Sequence, residues 1–401
     1  MWMQEEAQIR RELQMPRNRD DRPVRRDGYE NENQKKKTGM NTKKVFAISF
    51  CIVLGIVFIS GGLIYKLGHD MYSNFNYVAD DEVKVLETLP EAALEEMAEA
   101  ETAEDDGLKG EKVSDDVLKS IHDQISSLAD QEAVSDDDIY NVLLVGLDRR
   151  DKSWNGNSDS MMLVSINKKD NRVSVVSLMR DTYVDIPEVG YQKLNYAYAY
   201  GAGPLLCETV TNTYNIEVDR YAAVDFFDLI DIIDIIGGVS LEISAKEAEV
   251  ANGYILDMCT LIEGEDGWDH QIPAEGGFVR CDGIQAVAFA RNRFVGNSDY
   301  ERTERQRYLI QQLIAEVKQM SVAQMTEKMK AILEHVTMNI PESEIWAMIP
   351  ELPEMLNYKF EMDRVPYDNM YSIIDVNGQG MLVPDWEPTL EKMHDFIYGT
   401  N

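Results

Sequence analysis

Five arginines, Arg291, Arg293, Arg302, Arg305 and Arg307, crowd the stretch RNRFVGNSDYERTERQR in a 401-residue chain whose formal net charge is -33. Guanidiniums this dense in so acidic a protein need an anionic partner, and the planar fork of Arg suits phosphate oxygens better than the point charge of Lys. Ser298 and Glu301 fit a capping box that starts a helix. Leu309, Leu313 and Val317 follow at helical spacing and would bury one face. The same spacing predicts Arg302, Arg305 and Gln306 on one side of the first turns. There, free N–H groups and the helix dipole also favour an anion. Arg307 falls outside that face. The plainer alternative is a solvated helix face in which Asp299, Glu301 and Glu304 pair with the arginines.

Further charged residues fall at the ends of predicted elements: Asp148 and Asp159, Arg180 and Asp181, then Lys193 and Asn195. Ligand sites of open α/β sheets lie at strand ends, so these residues are expected to meet in space. Carboxylates hold a hard cation such as Mg²⁺, while Arg and Lys neutralise the remaining oxygens of a pyrophosphate. Taken singly, Asp148-Arg149 reads as a turn salt bridge, Ser158-Asp159 as a helix cap and Lys193 as a surface residue. Asp159 and Asp181 are the candidates for a general base.

The elements that must position these residues begin near Ile139. YNVLLVGLD is a buried-strand pattern ending in Asp148. SMMLVSINKKDNRVSVVSLMRD reads as two strands joined at Lys169-Asp170-Asn171, the second ending at Arg180 and Asp181. LLCETVTNTYN and DFFDLIDIIDIIGGV read as helices, the latter stopping at Gly237-Gly238. DGIQAVAFARNR is a short helix that delivers Arg291 and Arg293. Strands alternating with helices predict an α/β layered domain over 139–400.

Before that domain, residues 1–44 are basic, lack apolar periodicity and are expected to be disordered. Val45 to Tyr65 carries no charge and is long enough, at ~1.5 Å per residue, to cross a bilayer. The basic flank precedes it, so the positive-inside rule places the N-terminus in the cytoplasm and the rest outside. Residues 66–138 are acidic and Ala-rich and read as a partly helical stalk that carries no chemistry. The low pI excludes general nucleic-acid binding. Cys207, Cys259 and Cys281 are too few for a disulfide framework, although a single Cys259–Cys281 bridge is open.

The blocks VLLVGLDRR, NSDSMMLVSIN, SLMRDTYVDIP, YQKLNYAYAYGAG, IDIIGGVSLEI, CDGIQAVAFARNR and SDYERTERQRYLI resemble the LytR-CpsA-Psr family of bacterial cell-wall enzymes, in order and spacing, over 139–317. That resemblance implies an α-β-α sandwich with a long hydrophobic tunnel for a polyprenyl chain. It implies transfer of an anionic glycopolymer from a polyprenyl-pyrophosphate carrier to a peptidoglycan hydroxyl. By motif, Asp148 and Asp159 would be associated with Mg²⁺. Arg180, Lys193, Arg291, Arg293, Arg302 and Arg305 would hold the pyrophosphate, with Asp299 and Gln306 in the same block. Two positions depart from the family pattern: Asn157 stands where Arg is usual, and Met179 where Pro is usual. A hydrolase of the same lipid and a non-catalytic lipid-binding or regulatory membrane protein are the rival readings. Teichoic acid, capsule and other wall glycans all fit as the polymer.

Overall fold

Extended runs on either side of Lys169-Asp170-Asn171 build a sheet, and a computed structural model gives its topology. The structure describes residues 76–399, apart from 104–107, 109, 151, 297–298 and scattered positions from 322 to 356. The predicted basic tail, the predicted span Val45–Tyr65, the start of the stalk and the Ser298 cap lie outside the described residues. No helix among the described residues is long and apolar enough to cross a membrane.

In chain order the strands and helices are β1 (Asn76–Tyr77), α1 (Glu91–Ala103), β2 (Glu111–Lys112), α2 (Asp115–Ala129), β3 (Ile139–Asp148), β4 (Asn157–Asn167) and β5 (Arg172–Leu178). A hairpin, β6 (Tyr183–Ile186) and β7 (Gly190–Lys193), leads into α3 (Tyr196–Tyr214). Then come β8 (Arg220–Asp225), α4 (Phe226–Ile236), β9 (Val239–Ser244), α5 (Ala245–Cys259), β10 (Gly276–Cys281), α6 (Gly283–Ala290) and α7 (Asp299–Lys318). The chain closes with β11 (Thr337–Met338), α8 (Glu342–Met348), α9 (Leu352–Met355), β12 (Lys359–Val365), β13 (Tyr371–Val376), β14 (Gln379–Pro384) and α10 (Trp386–Tyr398).

The main sheet is mixed, in the order β1-β11-β8-β3-β4-β5-β12. β3 runs antiparallel to β4 and parallel to β8, and β5 runs parallel to β12. The predicted hairpin of β4 and β5 is present, with Asn171 in the left-handed region at φ 51. Alternation along β3 and β4 turns one face of the sheet into the first of two cores. Leu143, Val145 and Leu163 join a cluster with Leu206 and Val210 of α3 and Met393 and Ile397 of α10. The second cluster is built from α4, β9, α5, β10, α6 and α7, including Ile233, Leu241, Ile255, Phe289 and Leu309. Helix α4 stops where the double glycine predicts, with Gly237 as a left-handed cap at φ 106.

Two sequence expectations need correction. The stretch read as a stalk is largely part of the domain. Ala93 and Met97 of α1 and Ile121, Ile125 and Leu128 of α2 are buried in the first core. The helical spacing expected over Ile121, Ile125 and Leu128 is present, and it marks a face packed on the domain rather than a free stalk. The Cys259–Cys281 bridge is absent: both thiols are free and buried.

Candidate active site

The site assembles where β3, β4 and β5 end. Asp148 is the last residue of β3 and pairs across the sheet with Asn157 of β4, two residues before Asp159. Arg180 and Asp181 follow β5, and Lys193 ends β7. Backbone bonds fix these ends to one another: Asn195 N donates to Arg180 O at 3.2 Å, and Ser158 N donates to Asn195 O at 3.3 Å. Met179 donates its N–H to Val365 O at 3.0 Å, a bond that a proline there could not make.

Asp159 is the hub. Its Oδ2 accepts from Arg180 Nη1 at 2.8 Å, Arg293 Nη2 at 3.0 Å and Arg302 Nη1 at 3.4 Å. Asn195 Nδ2 donates to its Oδ1 at 3.3 Å. Burial raises the proton affinity of this carboxyl, but Arg180, Arg302 and Arg293 together outweigh it and hold its pKa well below the ordinary carboxylate range. Asp181 sits 2.7 Å from Lys193 Nζ and 3.4 Å from Arg180 Nε. The same contest between burial and cations lowers its pKa. Asp148 faces Arg291 at 3.5 Å, with both side chains partly open. The Arg291 guanidinium also stacks over Phe226, 4.9 Å from the ring centroid, and lies 5.9 Å from that of Tyr254.

Two spaces meet at these residues. A polar cleft of about 50 Å³ is lined by Asp148, Asn157, Asp159, Arg180, Asp181 and Lys193. A larger cavity of about 630 Å³ has apolar walls from Met162, Phe226, Leu229, Tyr254, Met258 and Leu309. Arg291, Arg293, Arg302 and Gln306 form its polar end, and Asp148, Arg150 and Asp159 line both spaces. The cavity lies on the face opposite the first core, where Gly146 and Met162 turn away from Leu143 and Leu163.

The structure therefore brings together Asp148, Asp159, Arg180, Asp181, Lys193, Arg291, Arg293, Arg302 and Gln306. Arg305 is the exception. Its Nε donates to Glu247 at 2.8 Å, Nη1 to Asn292 O at 3.0 Å and Nη2 to Val295 O at 2.8 Å. It lines neither space; it ties down the 292–295 loop that carries Arg293. Arg305 and Gln306 stand on opposite flanks of Arg302, about 100° apart around the helix, so one turns to α5 and the other to the cavity. Asp299 begins α7, and Arg307 lines neither space. Arg149 pairs with Asp225 at 3.4 Å rather than with Asp148, and Asp159 lies on a strand rather than at a helix cap.

Sequence reading missed Arg150, the Phe226 and Tyr254 rings under Arg291, and Glu96 of α1 at the edge of the cleft. Arg150 follows Asp148 by two residues and was legible as part of DRR. The rings carry no local signal, because an aromatic in an apolar run looks the same whether it lines a cavity or fills a core.

Comparison with known proteins places the family and the fold. Teichoic acid transferase TagU of Enterococcus faecalis is 36% identical over 182 residues, covering 44% of this chain and 54% of the relative. Biofilm regulatory protein A of Streptococcus mutans is 29% identical over 240 residues, covering 57% of this chain and 55% of the relative. The chain thus spans about half the length of these curated relatives. Among solved structures, Bacillus subtilis TagV matches with a TM-score of 0.51 at 22% identity, over 67% of this chain and 100% of that one. A Streptococcus agalactiae protein matches with a TM-score of 0.52 at 24% identity, over 66% and 89% respectively. These two share the fold. The family model LytR_cpsA_psr matches residues 97–393, and the chain belongs to the LytR-CpsA-Psr family.

Proposed function

We propose that the protein is a membrane-anchored, extracytoplasmic phosphotransferase that moves an anionic glycopolymer from a polyprenyl-pyrophosphate carrier to a peptidoglycan hydroxyl. The observation that carries this reading is that the polar cleft and the apolar cavity share the walls Asp148, Arg150 and Asp159. A substrate with a pyrophosphate at one end and a hydrocarbon chain at the other fits both halves. The charge fits as well. Arg180, Lys193, Arg291, Arg293 and Arg302 face Asp148, Asp159 and Asp181, an excess of cations that suits the roughly two negative charges of a pyrophosphate diester. The names of the Enterococcus faecalis relative and of similar transferases support teichoic acid as the polymer class.

Asp148, Asp159 and the amide oxygen of Asn157 offer hard oxygen donors at one place. Asn157 Oδ1 is buried without a hydrogen-bond partner among the described residues, and Asp159 Oδ1 accepts a long bond from Asn195. This donor set fits Mg²⁺. Bound there, the ion would neutralise charge on the pyrophosphate oxygens. The chain's own residues do the rest. Arg180 and Arg302, oriented by Asp159, hold the phosphoryl oxygens where negative charge grows, and the buried site keeps water from competing. The cavity orients the lipid so that the sugar-side phosphorus meets the acceptor hydroxyl.

The test is release of polyprenyl phosphate from a defined carrier, with and without an acceptor glycan. Release that depends on acceptor supports transfer. Equal release without acceptor makes the protein a hydrolase, and carrier binding without any release would favour the regulatory role suggested by the name of the Streptococcus mutans relative. Protease added to intact protoplasts checks the topology: loss of the domain is expected, and its protection would contradict the outside placement.

A further inference from the structure

Transfer requires a group to take the proton of the attacking hydroxyl, and the two aspartates suggested by sequence are poorly suited. Asp159 and Asp181 are each paired with two or more cations. A carboxylate held in the ionised state by guanidiniums is a weak base. The cleft contains another carboxylate. Helix α1 buries Ala93 and Met97 in the first core, and this anchoring presents Glu96, one residue before Met97, to the cleft beside Asp148 and Asp159. Its Oε1 accepts from Arg150 N at 2.6 Å and its Oε2 from the Trp154 indole Nε1 at 2.9 Å. Both donors are neutral, and no ion pair to Glu96 occurs among the described residues. The two bonds fix the carboxylate in position and leave each oxygen a second lone pair. The charged and titratable groups around it are Arg150 from the loop after β3, Asp148, Asp159, the Arg180–Asp181 corner, Lys193 and the phenol of Tyr196; Glu95 is its exposed neighbour on α1.

The geometry points to Glu96 as the general base of the transfer, an assignment that rests on the phosphotransferase reading above. The acceptor hydroxyl oxygen forms a bond to the sugar-side phosphorus. The bond from that phosphorus to the bridging oxygen breaks, and polyprenyl phosphate leaves with that oxygen and its electron pair. The hydroxyl proton passes to the Glu96 carboxylate. The protonated glutamate then offsets the negative charge gained by the leaving phosphate, without discharging the Asp159 hub that holds the arginines.

The experiment measures the pH dependence of kcat, together with binding of the carrier, for full-length protein in detergent or vesicles. Glu96→Gln should lower kcat by about a hundredfold or more, leave carrier affinity within about twofold and abolish the acid limb of the profile. Glu96→Asp should keep the limb at an intermediate rate. Trp154→Phe removes one anchoring bond but not the carboxylate, and should keep the limb too. Glu95→Gln should match the wild type. A Glu96→Gln protein with wild-type rate, or with the acid limb intact, overturns the assignment. So does a loss of carrier affinity equal to the loss of rate, which would make Glu96 only a clamp on the 149–154 loop. If the wild type itself releases no polyprenyl phosphate, the phosphotransferase reading fails and Glu96 falls with it. If the wild type transfers and Glu96→Gln transfers equally well, only the Glu96 assignment fails.

Discussion

The polar cleft and the apolar cavity share three residues yet are built by opposite means. In the cleft, almost every charged group is fixed by a named partner: Asp159 by three arginines and Asn195, Asp181 by Lys193 and Arg180. In the cavity, side chains of the second core are held apart, with about 630 Å³ left between α4, α5, α6 and α7. The cleft is thus preorganised to receive charge, whereas the cavity supplies binding energy that is non-directional and grows with the length of hydrocarbon it covers. One region would set the rate and the other the choice of carrier.

Removing a guanidinium from the cleft should have the largest effect. Arg302→Ala is expected to cost roughly 3 kcal/mol in the transfer step, about a hundredfold in rate. Arg302→Lys should recover only part, since Lys keeps the charge but loses the fork. Arg305, one turn away, should behave differently. Arg305→Ala leaves Glu247 Oε1 without its cation and frees the 292–295 loop, so a stability loss of about 3 kcal/mol is expected in denaturant unfolding, with a smaller loss of kcat than for Arg302→Ala. Arg307→Ala should lower the rate least. If the Arg302 and Arg307 variants have equal kcat, the clamp is wrong.

The cavity should give a more modest effect with a different signature. Leu229→Trp narrows the space beside Phe226. Displacing about two methylenes of the lipid would cost ~1.5 kcal/mol, near tenfold in affinity for a long-chain carrier. The penalty should shrink as the chain is shortened; a penalty independent of chain length would place the lipid elsewhere.

The smallest effect concerns pH. The pKa of Asp159 is depressed in the folded state because its arginine partners outweigh burial. Its stabilising contribution is therefore fully present above the unfolded value of about 3.9 and is lost as pH falls through the folded value. The difference in Tm between wild type and Asp159→Asn should be steady above about pH 5 and shrink below about pH 4. A difference that instead grew on acidification would contradict the ion-pair account.

The contrast also explains what could be read in the sequence. Asp148, Asp159 and Arg180 were legible because charged residues at the ends of apolar strands are out of place unless they meet something, whereas Lys193, on the polar strand β7, was legible from its motif. The helical stop at Gly237 and the turn at Asn171 were legible because few residues accept left-handed backbone. Arg305 was misassigned because a spacing of three residues restricts a side chain to a broad arc, and Glu247, 58 positions away in sequence, decides which way it turns. The helical spacing of Ile121, Ile125 and Leu128 in α2 was legible, but an amphipathic acidic helix reads the same in a stalk as against a core. The cavity was illegible in principle: Leu229 or Met258 has the same side chain whether it fills a core or faces a void.

Binding of three ligands to the same protein tests the union of the two regions most directly: a long-chain polyprenyl pyrophosphate, a polyprenol of equal length and inorganic pyrophosphate. The lipid pyrophosphate should bind far more tightly than either part. Arg302→Ala should reduce the advantage of the pyrophosphate, and Leu229→Trp that of the chain. A lipid pyrophosphate that binds no better than inorganic pyrophosphate would contradict that union.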